Sequence, residues 1–193
     1  MLPLRVPMSF KYSSMRMDLY CALSWLGRMS KKIEDCLGGF MVACLFKNVV
    51  DGYQWVFTMV YGPNLNRTKS LLCDELAGLS NTWDLCWCIG GDVNVTRFLS
   101  ERSSGSSFNL AMVDFSNFIS KQDLLHIPLA NGSFTWSCNR EHPSWSRIDV
   151  FPLSLEWEAH YHDLVQKKLP RFCSHHFPIL IDCGGLHGGP ICF

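Results

Sequence analysis

Asp92 and Asn94 stand two residues apart at the end of an apolar run, in the stretch WCIGGDVNV over residues 87–95. At the end of a strand, side chains two apart fall on one face. A carboxylate and a carboxamide would then lie side by side, where a ligand or a metal-bound water could sit between them. Residues 85–89 fit a buried strand, and Gly90 and Gly91 would end it in backbone conformations that a side chain hinders. Gly, Asp and Asn are also ordinary turn residues. Taken by themselves, these residues read more readily as a turn.

Three other segments carry chemistry of the same kind: VYGPN over residues 60–64, SRIDVF over 146–151 and SHHFPI over 174–179. Each puts a hydrogen-bonding or titratable group at or beside the end of an apolar segment: Tyr61 and Asn64, Asp149, and His175 with His176. Plain alternatives stand beside each. Tyr61 could be an ordinary strand-end aromatic, Asp149 could pair with Arg147, and Trp136 suits a core better than a ligand. His142, His160 and His162 read as exposed loop histidines.

The elements that must position these groups are legible from about Gly38 onward. GGFMVACLF reads as a buried strand, residues 51–53 as a hairpin turn, and QWVFTMVYGPN as the return strand with a Gly-Pro break. Asn66 can cap a helix running to about Ser80, with Leu71, Leu72, Leu76 and Leu79 on one face. A serine-rich loop over residues 100–107 precedes a second amphipathic helix carrying Phe108, Ala111, Met112, Phe115, Phe118 and Ile119. Short strands follow in SFTWS, SWSRIDVF, residues 160–169 and FPILIDC. Strands alternating with helices, then several short strands, argue for a layered α/β domain. Residues 1–35 carry no clean period, and a short helix over residues 18–29 is the most they suggest.

Composition sets limits. The chain has 193 residues, 48% of them hydrophobic and 18% charged, which excludes disorder for the bulk of it. Net charge is zero, +4 over residues 1–50 and −4 over the rest, so composition alone gives no basic footprint for nucleic acid. The ten cysteines lack the spacing of a disulfide scaffold or a zinc knuckle and read as buried free thiols. No secretory leader is evident. The longest apolar stretch, residues 36–46, is well short of the ~20 residues a membrane span needs. The expectation is an intracellular protein, nuclear or cytoplasmic, with no membrane partner and no small-molecule cofactor.

The four polar segments, in their order, resemble the motifs of the endonuclease/exonuclease/phosphatase superfamily, whose fold is that of deoxyribonuclease-I-like enzymes. The run from QWVFTMVYGPN through WCIGGDVNVTRFLSERSS, NGSFTWS, WSRIDVF and LPRFCSHHFPILIDCGG is most similar to the endonuclease domain of plant LINE-type retrotransposons. The resemblance covers residues 38 to about 190. It implies a four-layer α/β sandwich of two packed mixed sheets flanked by helices. It also implies phosphodiester hydrolysis with a divalent cation, Mg2+ or Mn2+, on DNA, as nicking for target-primed reverse transcription. Carried over by motif, Asp92 would orient or deprotonate the attacking water, and Asn94 would hold water or phosphate beside it. His176 would bind a phosphate oxygen and stabilise developing charge, with Asp149 orienting the imidazole. Tyr61 and Asn64 would line the phosphate site.

Three departures from that pattern shape further expectations. The family's early asparagine strand and its QET-like motif, which supplies the principal metal ligand, have no counterpart. Glu34 is the only glutamate before residue 75 and sits in KKIEDC. Residues 1–37 are therefore expected to be an atypical N-terminal segment of low order, ahead of an incomplete domain over 38–193 whose first strands are missing. His175 replaces an aspartate, which leaves a poor magnesium ligand. Val150 replaces an arginine. Metal binding and catalysis are expected to be weakened. The alternatives are a catalytically dead nucleic-acid or protein-binding module, or a non-functional retroelement remnant.

Overall fold

The computed structural model describes residues 5–8, 30–105, 107–138, 140–161, 163–171 and 174–183. The helix suggested over residues 18–29 lies outside them. The chain runs β1 (Arg5–Met8), β2 (Ser30–Leu37), β3 (Met41–Asn48), β4 (Gln54–Tyr61), α1 (Lys69–Ser80), β5 (Trp87–Asp92) and α2 (Leu110–Lys121). It continues through β6 (Leu124–His126), β7 (Leu129–Ala130), β8 (Trp136–Ser137), β9 (Trp145–Ser146), β10 (Asp149–Val150) and β11 (Pro152–Ser154). Then come α3 (Leu155–His160), β12 (Val165–Lys168) and β13 (Ile179–Asp182).

Strands β3 and β4 form the hairpin that the sequence announces. Gly52 takes φ 72° in its turn, and the Asp51 carboxylate accepts the Tyr53 N–H at 2.9 Å. Both strands are apolar on both faces, so the sheet they begin must be covered twice. Toward one side Met41, Ala43, Leu45, Val56 and Val60 pack with the inner faces of α1 and α2. Toward the other, Val42, Cys44, Phe46, Trp55, Phe57 and Met59 pack with Ile179, Ile181 and Cys183 of the second sheet. Burying each Val, Leu, Ile, Phe or Met among them contributes roughly 1.5–3 kcal/mol, which makes these two clusters the main source of cohesion.

The larger sheet has seven strands in the order β2-β3-β4-β5-β11-β6, with β10 also paired to β5. Its β4–β5 pair is parallel and the rest are antiparallel. The second sheet runs β1-β13-β12-β7, with β7 parallel to β12. The result is an α/β sandwich of two mixed sheets with α1 and α2 outside the larger one. No helix among the described residues is long and apolar enough to cross a membrane.

Local differences from the sequence reading have physical causes. Asn66 does not cap α1; it opens a 3₁₀ turn (Asn66–Thr68), and α1 starts at Lys69 with no side-chain cap. Leu71 is 49% exposed while Leu72, Leu76 and Leu79 are buried, because Leu71 sits about 100° round the helix from Leu72, off the stripe that the i, i+4, i+7 spacing of the other three defines. Helix α2 starts at Leu110, capped by the Asn109 side chain accepting from the Met112 N–H, which leaves Phe108 outside it and exposed. Strand β2 lies ahead of Gly38 as a paired edge strand with mostly exposed side chains, so it carries no alternation to read. The seven cysteines among the described residues are free thiols, and Cys44, Cys86, Cys88 and Cys183 are buried.

Candidate active site

Asp92 is the last residue of β5, and two neighbouring strands bring partners to it. Antiparallel β10 sets Asp149 directly opposite Asp92, and parallel β4 sets Tyr61 beside it. Gly90 and Gly91 lie inside the strand and do not end it. Their role is close packing. A Cβ on Gly90 would come within 2.5 Å of the Phe151 ring, and one on Gly91, at φ 144°, within 2.2 Å of the Val60 carbonyl oxygen. Only glycine lets the central strand sit this near its neighbours with that backbone.

Asn94 reaches the site by a different route from strand alternation. It lies past the end of β5 with φ 53°, a left-handed conformation that asparagine tolerates. Its N–H donates to Asp92 Oδ1 at 2.9 Å and its carboxamide Nδ2 to the Gly62 carbonyl at 2.7 Å. The Gly62 N–H in turn donates to the Asp92 carbonyl at 2.6 Å. Lys69, the first residue of α1, donates from Nζ to the Asn94 carbonyl. The segments after β4 and β5 are thus tied together around Asp92.

His176 comes from the lead-in to β13 and is bridged to Trp136 of β8. Its Nδ1 is 3.1 Å from both carboxylate oxygens of Asp149. Its Nε2 is 3.8 Å from Asp92 Oδ2, too long for a direct hydrogen bond and suited to a shared water or ligand oxygen. Thr135 braces this arrangement. Buried in the loop before β8, it accepts on Oγ1 from the Ile148 and Asp149 N–H groups at 3.1 and 3.0 Å. Its carbonyl accepts from the Phe177 N–H at 2.6 Å. One residue therefore positions the segments of both Asp149 and His176.

The electrostatics follow from two carboxylates and one imidazole sharing a buried space. Asp92 is 1% exposed and Asp149 fully buried. Burial, then the nearby Asp149 charge, pushes the Asp92 carboxyl up to about 7, against the opposing pull of His176, the Asn94 N–H and Lys69. Burial acts to lower His176, but the Asp149 hydrogen bond and the charges of Asp149 and Asp92 outweigh it and raise the imidazole above its ordinary value. Asp92 is thereby a carboxyl poised near neutrality, beside an imidazole whose proton the two carboxylates help to hold. The donor atoms of Asp92, Asp149 and His176 all lie within 4.8 Å of one another.

The remaining residues singled out in the sequence are more peripheral. Tyr61 is half-buried at the end of β4, and Asn64 is exposed on the loop that follows. His175 is exposed, with Nδ1 turned to the Ser137 carbonyl at 3.1 Å, and is not among the three clustered donors. Arg147 pairs with Glu101 at 3.2 Å, not with Asp149. Glu101 also takes the Arg97 and Phe98 N–H groups and contacts His126 at 2.8 Å, a buried network joining three segments. Of the loop histidines, His160 ends α3, half-buried against Tyr53 and 3.1 Å from Asp51. Lys69, Thr135 and Glu101 were not singled out by sequence pattern.

No family model matches the chain, and no curated protein matches it in sequence. Solved structures do. The endonuclease domain of TRAS1, a telomere-specific non-LTR retrotransposon, superposes with a TM-score of 0.63 at 11% identity, over 94% of this chain and 99% of that one. The AP endonuclease LMAP from Leishmania major gives 0.58 at 15% identity, over 78% of this chain and 55% of that one. An endonuclease/exonuclease/phosphatase family protein from Bacteroides thetaiotaomicron gives 0.50 at 17% identity, over 80% and 66%. This chain thus spans less than two thirds of the latter two. At these identities the likeness is one of fold: the chain has the α/β sandwich of endonuclease/exonuclease/phosphatase proteins, among them a retrotransposon endonuclease domain.

Proposed function

We propose that the chain is a phosphodiester hydrolase acting on DNA, of the kind carried by plant LINE-type and other non-LTR retrotransposons, and that its activity is impaired. The observation that carries this reading is the convergence of Asp92, Asp149 and His176 from residues far apart in sequence, on a fold shared with nucleases. Asp92 accepts the proton of the attacking water. Asn94, whose carboxamide is anchored on Gly62, lies next to it and orients water or phosphate. Asp149 holds Nδ1 of His176, so the imidazolium presents Nε2–H to a phosphate oxygen and stabilises the charge that develops there. Tyr61 and Asn64 line the approach of the phosphate.

The donor set fits a loosely held divalent cation. Magnesium commonly takes one or two carboxylates and completes its shell with water and substrate phosphate, and Asp92 would be its main protein ligand, since both Asp149 oxygens already accept from His176. When bound, such an ion neutralises phosphate charge. Impairment is supported by His175 and Val150, which stand where the family resemblance leads one to look for an aspartate and an arginine. The test is relaxation of supercoiled plasmid with magnesium or manganese. Slow nicking that Asp92→Ala abolishes is expected. Nicking that Asp92→Ala leaves unchanged refutes the site. Plasmid retained without being nicked favours a catalytically dead DNA-binding module, the reading to which His175 otherwise points.

A further inference from the structure

Lys69 is placed where the ordinary rules of helix stability disfavour it. It is the first residue of the twelve-residue α1, whose first turn holds no acidic side chain. A cation there opposes the helix dipole. The side chain is also half-buried, and burial lowers its ammonium despite the nearby Asp92 carboxylate. What it gains is a contact inside the candidate site: Nζ donates to the carbonyl of Asn94, whose own N–H donates to Asp92 Oδ1. An ammonium carries three N–H donors, and Asn94 takes one. A local choice that conflicts with its own element while serving a site is the mark of a functional residue.

We infer that Lys69 is a phosphate-binding residue of this centre, contacting the anionic phosphodiester beside Asn94, whose carbonyl it holds. The inference rests on the proposed hydrolase reading and adds a fixed cation to it. Asp92 and Asp149 would otherwise present two carboxylates to an anionic substrate, with His176 as the one positive group. A lysine held by Asn94 brings a second positive charge without any metal. It also makes DNA recognition partly independent of the divalent cation.

The experiment measures binding of a short DNA duplex in EDTA, across a series of salt concentrations, for the full chain and for Lys69→Met and Lys69→Arg. Each phosphate neutralised contributes about 0.9 to the slope of log affinity against log salt. Lys69→Met should reduce that slope by about 0.9, and Lys69→Arg should keep it. An unchanged slope in Lys69→Met overturns the Lys69 assignment and leaves the hydrolase reading intact. Absence of salt-dependent binding by the unaltered chain overturns both. If Lys69→Met fails to fold by circular dichroism, acetylation of the unaltered chain decides. Protection of Lys69 by the duplex supports the inference, and equal reactivity with and without DNA defeats it.

Discussion

Replacing the central carboxylate should make the protein more stable while removing its chemistry. In the folded chain Asp92 is held at about 7 against an ordinary value of 3.8. Between those values the folded state binds the Asp92 proton more tightly than the unfolded state does. Stability is therefore lost as pH rises from about 4 through about 7. The difference is about three units at ~1.36 kcal/mol each, on the order of 4 kcal/mol against folding above neutrality. Asp92→Asn cannot titrate and keeps an oxygen to accept the Asn94 N–H, but its buried amide costs roughly 1–3 kcal/mol to desolvate. The net expectation is a variant about 1–3 kcal/mol more stable at pH 8, with the advantage shrinking as pH falls and turning into a deficit of similar size near pH 4. Urea denaturation of both proteins across that range measures it. A variant less stable at pH 8, or a difference that does not change with pH, refutes the view that burial beside Asp149 strains this carboxylate.

Two further outcomes test the supports of the site. Gly91→Ala should lower stability by at least ~2 kcal/mol, because the new Cβ meets the Val60 carbonyl at 2.2 Å on a backbone at φ 144°; thermal melting by circular dichroism checks it. Glu101→Gln leaves the buried Arg147 guanidinium without its carboxylate and should cost about 3–5 kcal/mol at pH 7. Burial alone would raise Glu101, but the His126 contact, the Phe98 N–H and Arg147 hold it below its ordinary 4.5. Its contribution is present above that value and lost on acidification, so the gap between the two proteins, read by urea denaturation, should narrow below about pH 4.5.

What could be read in the sequence was whatever carries a long apolar signature. Strands β3, β4 and β5 are buried on both faces, and their runs announce them. Helices α1 and α2 show their inner faces at helical spacing, with errors only at the ends, where Asn66, Leu71 and Phe108 fall outside the pattern. Strands β7 to β10 have two residues each, and the six residues of α3 are too few to establish a period. The clustered trio was legible because Asp92, Asp149 and His176 each adjoin an apolar segment. Their supports were not. Thr135 acts by accepting N–H groups thirteen and fourteen residues away, and Lys69 acts through a helix start that delivers its ammonium to a carbonyl twenty-five residues on. Such roles depend on tertiary placement alone.

The two acidic members of the trio belong to the larger sheet, while the imidazole arrives on the lead-in to the smaller one. The gap between His176 and Asp92 is therefore a gauge set across the seam of the sandwich. Any slippage of one sheet over the other displaces the imidazole from both carboxylates at once, even while every strand keeps its ladder. The apolar filling of that seam, with Phe46, Trp55, Phe57 and Trp157 at its heart, thus sets the tolerance of the chemistry from a distance. Thinning it would blunt the site before it unfolded the protein.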